Sequence, residues 1–135
     1  MKKLPASDPE AWFSKAENDY LAIRRVMVGD GVPWDVVAFH AQQAAEKYLK
    51  GFLVARGSIV PKIHDLVSLL TACRRHDPSL ESLRSDADRL TRLGWASRYP
   101  DTPGDPEEAD SREAVLIAQR ITAAIRERVP KSPAP

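Results

Sequence analysis

Apolar residues recur along this chain at the three- and four-residue spacing of amphipathic helices, and turn-forming residues divide the pattern into five segments. The first predicted helix runs from about Pro9 to Val28, because Asp8 and Glu10 flank a proline in a typical helix-start signal. The residues at 29–31 contain two glycines and end it. Its core-facing residues are predicted to be Trp12, Ala16, Tyr20, Ile23 and Met27.

A second predicted helix, from about Pro33 to Arg56, carries a seam of mostly small residues and ends at Gly57. Small residues along a seam allow two helices to approach closely. The seam consists of Val37, Ala41, Ala44, Tyr48, Gly51 and Ala55.

Three further helices complete the pattern: a short one after His64-Asp65, one from near Pro78 that ends by Pro100, and one from about Pro106 to Val129. Residues 99–106 are rich in proline and predict a loop. No segment alternates apolar and polar residues long enough to predict a strand. We therefore expect an all-α, up-and-down antiparallel bundle of four long or medium helices plus one short helix. It forms a single domain over residues 1–135, with a core at about 9–128 and frayed ends at 1–7 and 130–135.

Composition narrows the class of protein. Hydrophobic residues make up 43% and charged residues 29% of 135 positions, as in soluble globular domains. Charges interrupt every apolar stretch before the roughly 18 residues that a membrane span needs. The first residues do not resemble a signal peptide, and the single Cys73 excludes an internal disulfide. These features predict a cytoplasmic protein without membrane association.

Charge is unevenly distributed although the formal net charge is +1. Residues 40–76 contain six Lys or Arg against Glu46 and Asp65, a net charge of +4, and all three histidines: His40, His64 and His76. This basic zone is either a solvated face or a surface for an anionic ligand. Asp65 is expected in the first turn of the third helix, with His64 in a local hydrogen bond.

The second helix carries a polar stripe at 3-4-3 spacing and, beside it, a second polar row of Gln42 and Glu46. The stripe consists of His40, Gln43, Lys47 and Lys50. Two interpretations remain open: these residues face water beside the buried seam, or they form a binding or dimer face. No metal or cofactor is predicted, because no second ligand at metal spacing accompanies a histidine and no phosphate-loop motif is present.

Three blocks in order resemble the HEPN domain family of small bacterial and archaeal helical proteins. They are "FHAQQAAEKYLKGFLVARG" at 39–57, "KIHDLVSLL" at 62–70 and "SRYPD" at 97–101, and the resemblance covers about residues 9–128. The resemblance implies an all-α bundle that usually forms a homodimer. It also implies a partner, since members are commonly encoded beside a minimal nucleotidyltransferase in toxin–antitoxin or related modules.

Many members of that family are metal-independent ribonucleases with an Arg-x4-6-His motif near the end of the penultimate long helix, where two copies form one cleft. In this chain Arg92 matches the arginine, but Ser97 stands where the histidine would be. A serine hydroxyl does not exchange protons near neutral pH as histidine does. Arg92 and Arg98 can still bind phosphate. The resemblance therefore implies binding of nucleotide or RNA phosphate without efficient cleavage.

Some family members carry a tyrosine two residues past the motif histidine, and the partner nucleotidyltransferase attaches AMP to it. Tyr99 lies at that offset from Ser97, so the resemblance implies an AMP acceptor. Packing at a helix end before Pro100 is the other interpretation of Tyr99.

Three hypotheses follow for function. The favoured one is a regulatory, phosphate-binding partner of a nucleotidyltransferase that is not an efficient enzyme. The alternatives are a divergent ribonuclease toxin that uses Arg92 with a substitute base, and a purely structural dimerisation module. The candidate phosphate-binding residues are Arg92, Arg98, Tyr99, His40, Gln43, Lys47 and Lys50.

Overall fold

The computed structural model describes residues 4–96 and 106–131, and within these ranges the chain contains helices and no strand. This confirms the predicted all-α bundle, with four long or medium helices and one short one. The helices are α1 (Pro9–Val26), α2 (Trp34–Ala55), α3 (Leu66–Arg74), α4 (Arg84–Ala96) and α5 (Glu108–Arg128), with a 3-10 helix at Pro78–Leu83 before α4.

Helix α2 lies at the centre of the bundle. It packs against α1, α3, α4 and α5, and thirteen of its 22 residues are buried. Because neighbours cover α2 on most sides, several of its polar residues are buried together with its apolar ones. The central position of α2 therefore places charged side chains in the interior of the bundle.

Two glycines mark where helices approach most closely. A Cβ at Gly51 of α2 would overlap the ring of Phe13 on α1. A Cβ at Gly94 of α4 would lie 2.6 Å from the Cβ of Gln42 on α2. The predicted close approach is therefore present at Gly51, and the seam is buried from Val37 to Gly51, whereas Ala55 is exposed at the end of the helix.

The core face of α1 differs by one position from the prediction. Phe13 is fully buried, while Trp12 is half-buried and its indole nitrogen donates to the carbonyl of Ala6 at 2.9 Å. The 3-4-3 spacing of the buried Phe13, Ala16, Tyr20 and Ile23 fits one helical face better than a face that begins at Trp12. Met27 is half-buried at the C-terminal cap, and α1 ends two residues earlier than expected.

Capping residues shift two other helix starts. Asp77 caps the 3-10 helix by accepting from the backbone of Ser79 at 3.1 Å, so α4 begins only at Arg84 and not near Pro78. Glu107 and Asp110 form a reciprocal capping box, which places the start of α5 at Glu108. The predicted loop at residues 99–106 lies almost entirely outside the described residues.

Candidate functional site

The polar residues of α2 belong to two clusters, each built around a buried carboxylate. The first, called the Asp19 cluster, consists of Asp19 on α1 with His40 and Lys47 on α2. Asp19 is only 6% exposed. One of its oxygens lies 2.8 Å from His40 Nδ1 and the other 2.5 Å from Lys47 Nζ. Both oxygens are therefore engaged, and the cluster joins α1 to α2.

Aromatic and charged contacts reinforce the same pair of helices. The Tyr48 hydroxyl donates to Glu17 at 2.5 Å, and its ring stacks on Phe13 with centroids 4.7 Å apart. Burial, followed by the hydrogen bond to Glu17, raises the pKa of Tyr48 to about 12. The Arg126 guanidinium from α5 lies over both rings and binds Glu10 at 2.8 Å. The packing of α1 on α2 is thus stabilised by contacts from α5 as well.

The second cluster, called the Glu46 cluster, consists of Gln42, Glu46 and Lys50 on α2 with His64 from the connection to α3. Glu46 is 4% exposed and Lys50 is 6% exposed. One Glu46 oxygen, Oε2, meets both Lys50 Nζ at 3.1 Å and His64 Nδ1 at 3.0 Å. The other, Oε1, is buried and has no hydrogen-bond partner among the described residues. An unsatisfied buried acceptor costs about 1–3 kcal/mol.

Gln42 connects this cluster to α4. Its amide nitrogen donates to the His64 carbonyl at 3.0 Å, and its side chain packs against Gly94. One turn earlier on α4, Thr91 Oγ1 accepts from the backbone of Leu66 at 3.3 Å. The connection that carries His64 is therefore held against the part of α4 that leads to Ser97.

His64 and Asp65 have different roles, as their contacts show. Asp65 caps α3, accepting from the backbone of Val67 at 3.1 Å and from the Ser68 hydroxyl at 2.6 Å. The His64 side chain hydrogen-bonds to Glu46 on α2. The predicted local hydrogen bond of His64 is therefore wrong. Its side chain nevertheless remains 70% exposed.

The water-facing interpretation of the polar stripe is wrong for Lys50, and Gln42 and Glu46 of the second row are buried as well. The other three stripe residues are half-buried. His40 and Lys47 bind Asp19, while Gln43 donates to the Gln42 side chain of the Glu46 cluster at 3.2 Å. The charged groups of the stripe are thus paired with buried acids.

Arg92, the arginine of the motif, lies on the exposed side of α4. Its side chain is 68% exposed, and its guanidinium lies 3.0 Å from Asp88 one turn earlier. Ser97, Arg98 and Tyr99 lie outside the described residues. The structure therefore shows Arg92 as an accessible cation and does not test the rest of the motif.

Neither a metal centre nor a membrane span is found in residues 4–96 and 106–131. No group of three potential metal ligands occurs in these ranges. Within the same ranges, no helix is both long and apolar enough to cross a bilayer.

Asp19 was not among the predicted site residues, and Glu46 was predicted only as part of a second polar row. A signal was present for both, because Asp19 follows the core residue Ala16 by three positions and precedes Ile23 by four. Glu46 likewise lies three residues before the buried Leu49. An acid at core spacing must find a buried partner, and in both clusters a lysine and a histidine supply it.

Comparison with known proteins agrees with this architecture. A family model described as the HEPN domain matches residues 9–128. The crystal structure of TT1696 from Thermus thermophilus is similar with a TM-score of 0.76 and 30% identity, covering 89% of this chain and 97% of that one. The crystal structure of ST0689, an archaeal HEPN homologue, gives a TM-score of 0.70 and 29% identity over 96% and 99%. The search of curated proteins finds no significant match.

Proposed function

This chain belongs to the HEPN domain family, and from that premise we propose that it is a phosphate-binding regulatory partner of a minimal nucleotidyltransferase in a module of the toxin–antitoxin type. One observation carries the proposal: Arg92 is exposed at the position of the family's motif arginine, while Ser97 replaces the motif histidine. An accessible guanidinium can bind a phosphate in bidentate fashion. Without the imidazole, the motif lacks its proton acceptor and donor.

The proposed phosphate contacts are Arg92, Arg98 and Tyr99. His40, Lys47 and Lys50 contribute less to this proposal, because each already lies against a buried carboxylate. A homodimer, as the family resemblance implies, and a cytoplasmic location, as the composition predicts, are part of the same proposal. Light scattering of the purified protein tests the dimer, and a monomer at micromolar concentration would count against it.

The proposed lack of RNA cleavage is tested by incubating the purified protein with single-stranded RNA and transfer RNA in the presence of a chelator. We expect both RNAs to remain intact, and Ser97→His to introduce weak cleavage that Arg92→Ala removes. Rapid metal-independent cleavage by the unmodified protein, lost in Arg92→Ala, would instead show that the chain is a divergent ribonuclease.

The proposed partnership with a nucleotidyltransferase is tested by asking whether Tyr99 accepts AMP. In the proposed reaction the Tyr99 oxygen attacks the α-phosphorus of ATP, the tyrosine loses its proton, an oxygen–phosphorus bond forms and pyrophosphate leaves. The chain has two other tyrosines, Tyr20 and Tyr48, and both are buried, so they serve as internal controls. Intact-mass spectrometry after incubation with the nucleotidyltransferase from the neighbouring gene, ATP and magnesium should show one added AMP. An unchanged mass, or an addition that persists in Tyr99→Phe, contradicts this assignment.

A further inference from the structure

We propose that His64, oriented by Glu46, is a phosphate-binding residue that contacts the phosphate oxygen through its Nε2 atom. The ligand class is a phosphate group, carried either by an RNA strand or by a free nucleotide. This site deepens the proposed function and rests on it for the ligand class, but its residues are distinct from Arg92 and the segment that follows.

The Glu46 carboxylate fixes which histidine nitrogen is available. An ionised carboxylate only accepts hydrogen bonds, so the contact of 3.0 Å assigns a hydrogen to His64 Nδ1. Nε2 is then the nitrogen left for a ligand, and the side chain is 70% exposed. A protonated imidazole donates from both nitrogens, so His64 can hold Glu46 and a phosphate oxygen at the same time through charge-assisted hydrogen bonds.

The charges of the chain segment that carries His64 favour an anion. The connection at residues 56–64 contains Arg56 and Lys62 and no acid. Within the described ranges, neither of these cations has an acidic partner, although Arg56 lies over the Phe52 ring. From α2, Lys50 offsets the charge of Glu46. Asp65 is occupied at the start of α3, and Thr91 of α4, which accepts from the Leu66 backbone just after the connection, is uncharged.

The backbone at His64 is held in place before any ligand arrives. Gln42 binds the His64 carbonyl, and the next contact along the chain joins Leu66 to Thr91. A preorganised contact loses little conformational entropy when a ligand binds. Among the described residues Glu46 Oε1 has no hydrogen-bond partner, so a single carboxylate oxygen holds both His64 and Lys50.

The test uses the full-length protein labelled with nitrogen-15 and follows its three imidazoles by proton–nitrogen correlation. In the neutral state His64 should carry its hydrogen on Nδ1. His76, whose side chain has no hydrogen-bond or ion-pair partner among the described residues, should show the tautomer preference of a free imidazole. The protein is then titrated separately with a short single-stranded RNA, AMP and inorganic phosphate. We expect saturable shifts of the His64 signals and much smaller shifts of the His76 signals.

Variants separate a binding role from a structural one. His64→Gln should weaken binding of the most tightly bound probe at least threefold, while His76→Gln leaves it unchanged. Glu46→Gln, with its fold verified by circular dichroism, should weaken the preference for Nδ1–H and reduce the phosphate response, because a neutral amide oxygen is a poorer acceptor than a carboxylate. Tighter binding of RNA than of AMP identifies a strand as the phosphate source, and equal binding identifies a nucleotide.

The proposal is overturned if none of the three probes moves His64, or if His64 and His76 respond alike. It is also overturned if His64→Gln and His76→Gln bind equally well. An unresponsive His64 alongside RNA binding that needs Arg92 would reject this site and leave the proposed function intact. A response of His64 to inorganic phosphate, alongside RNA binding that is insensitive to Arg92→Ala, would reject the role of Arg92 and retain this site.

Discussion

The Asp19 and Glu46 clusters contain the same three chemical groups: a buried carboxylate, a lysine ammonium and an imidazole bound through Nδ1. They differ in how the carboxylate is used. Asp19 gives one oxygen to each partner, whereas Glu46 gives Oε2 to both partners, and its Oε1 has none among the described residues. The imidazole side chain is 30% exposed in the first cluster and 70% in the second. The same polar groups therefore hold two packed helices together in the Asp19 cluster. In the Glu46 cluster they leave Nε2 of His64 accessible.

The origin of each cluster explains this difference. Asp19 projects from α1 onto α2, so its two hydrogen bonds hold a pair of packed helices together. Glu46 and Lys50 lie one turn apart on the same helix, and the third partner, His64, comes from an exposed connection. A helix–helix interface excludes water from its polar groups, but a connection on the surface exposes them. The following predictions test this division.

The largest effect is expected from Asp19→Ala. His40 and Lys47 would stay half-buried on α2 without their shared carboxylate, so we expect the free energy of unfolding to fall by about 2–3 kcal/mol. Urea denaturation followed by circular dichroism measures this loss. Asp30→Ala is the matched control, because Asp30 is exposed in the turn after α1 and should change stability by less than about 0.5 kcal/mol. Equal effects of the two substitutions would remove the structural role of the Asp19 cluster.

A smaller loss is expected from Gly94→Ala. The new Cβ would lie 2.6 Å from the Cβ of Gln42, so Gln42 must move and its hydrogen bond to the His64 carbonyl is strained. Overpacking of this kind outweighs the gain in helix propensity, and we expect a net loss of about 1–2 kcal/mol. Amide hydrogen exchange near residues 63–66 should also become faster. Ser85→Ala, at an exposed position of the same helix, should neither lower the stability nor speed the exchange near residues 63–66.

Much of the fold could be predicted from the sequence because helix-forming periodicity and turn residues are local signals. The seam on α2 and the glycine at its end illustrate this. The error at Trp12 was also local in origin: two aromatic residues are adjacent, and only tertiary packing against Gly51 selects Phe13. Likewise, the 3-10 helix before α4 depends on the cap at Asp77, which the periodicity of leucines does not encode.

The candidate site was less predictable because it depends on contacts between distant segments. Hydrogen bonds from α2 to Asp19 and to His64 join residues 21 and 18 positions apart in the chain. The spacing of the polar stripe identified the residues on α2 but not their partners, and for that reason buried Lys50 was expected at a water-facing or binding surface. Helical periodicity defines a face of a helix, but it does not say which neighbour covers that face.

His40 and His64, the histidines of the two clusters, provide a direct test of the difference between the clusters. His40→Ala removes a half-buried group that joins α1 to α2, so we expect a loss of about 1 kcal/mol in unfolding free energy. His64→Ala removes an exposed ring while Lys50 remains at Glu46 and Gln42 still holds the backbone, so we expect a loss of about 0.5 kcal/mol or less. Thermal and urea denaturation of the two variants would provide this ranking. The reverse order would mean that His64 serves chiefly to stabilise the fold.

The smallest effect on stability is expected from Arg92→Ala, which breaks the exposed pair with Asp88. Exposed pairs one turn apart on a helix contribute about 0.3–0.5 kcal/mol, and alanine offsets part of this by its helix propensity. A loss of RNA binding in Arg92→Ala, measured by fluorescence anisotropy, can then be attributed to the missing guanidinium and not to unfolding. Asp88→Ala is the matched control, since it breaks the same pair and leaves Arg92 available to phosphate. We expect Asp88→Ala to bind RNA at least as tightly as the unmodified chain, and equal weakening by both substitutions would show that the pair, and not the arginine, supports binding.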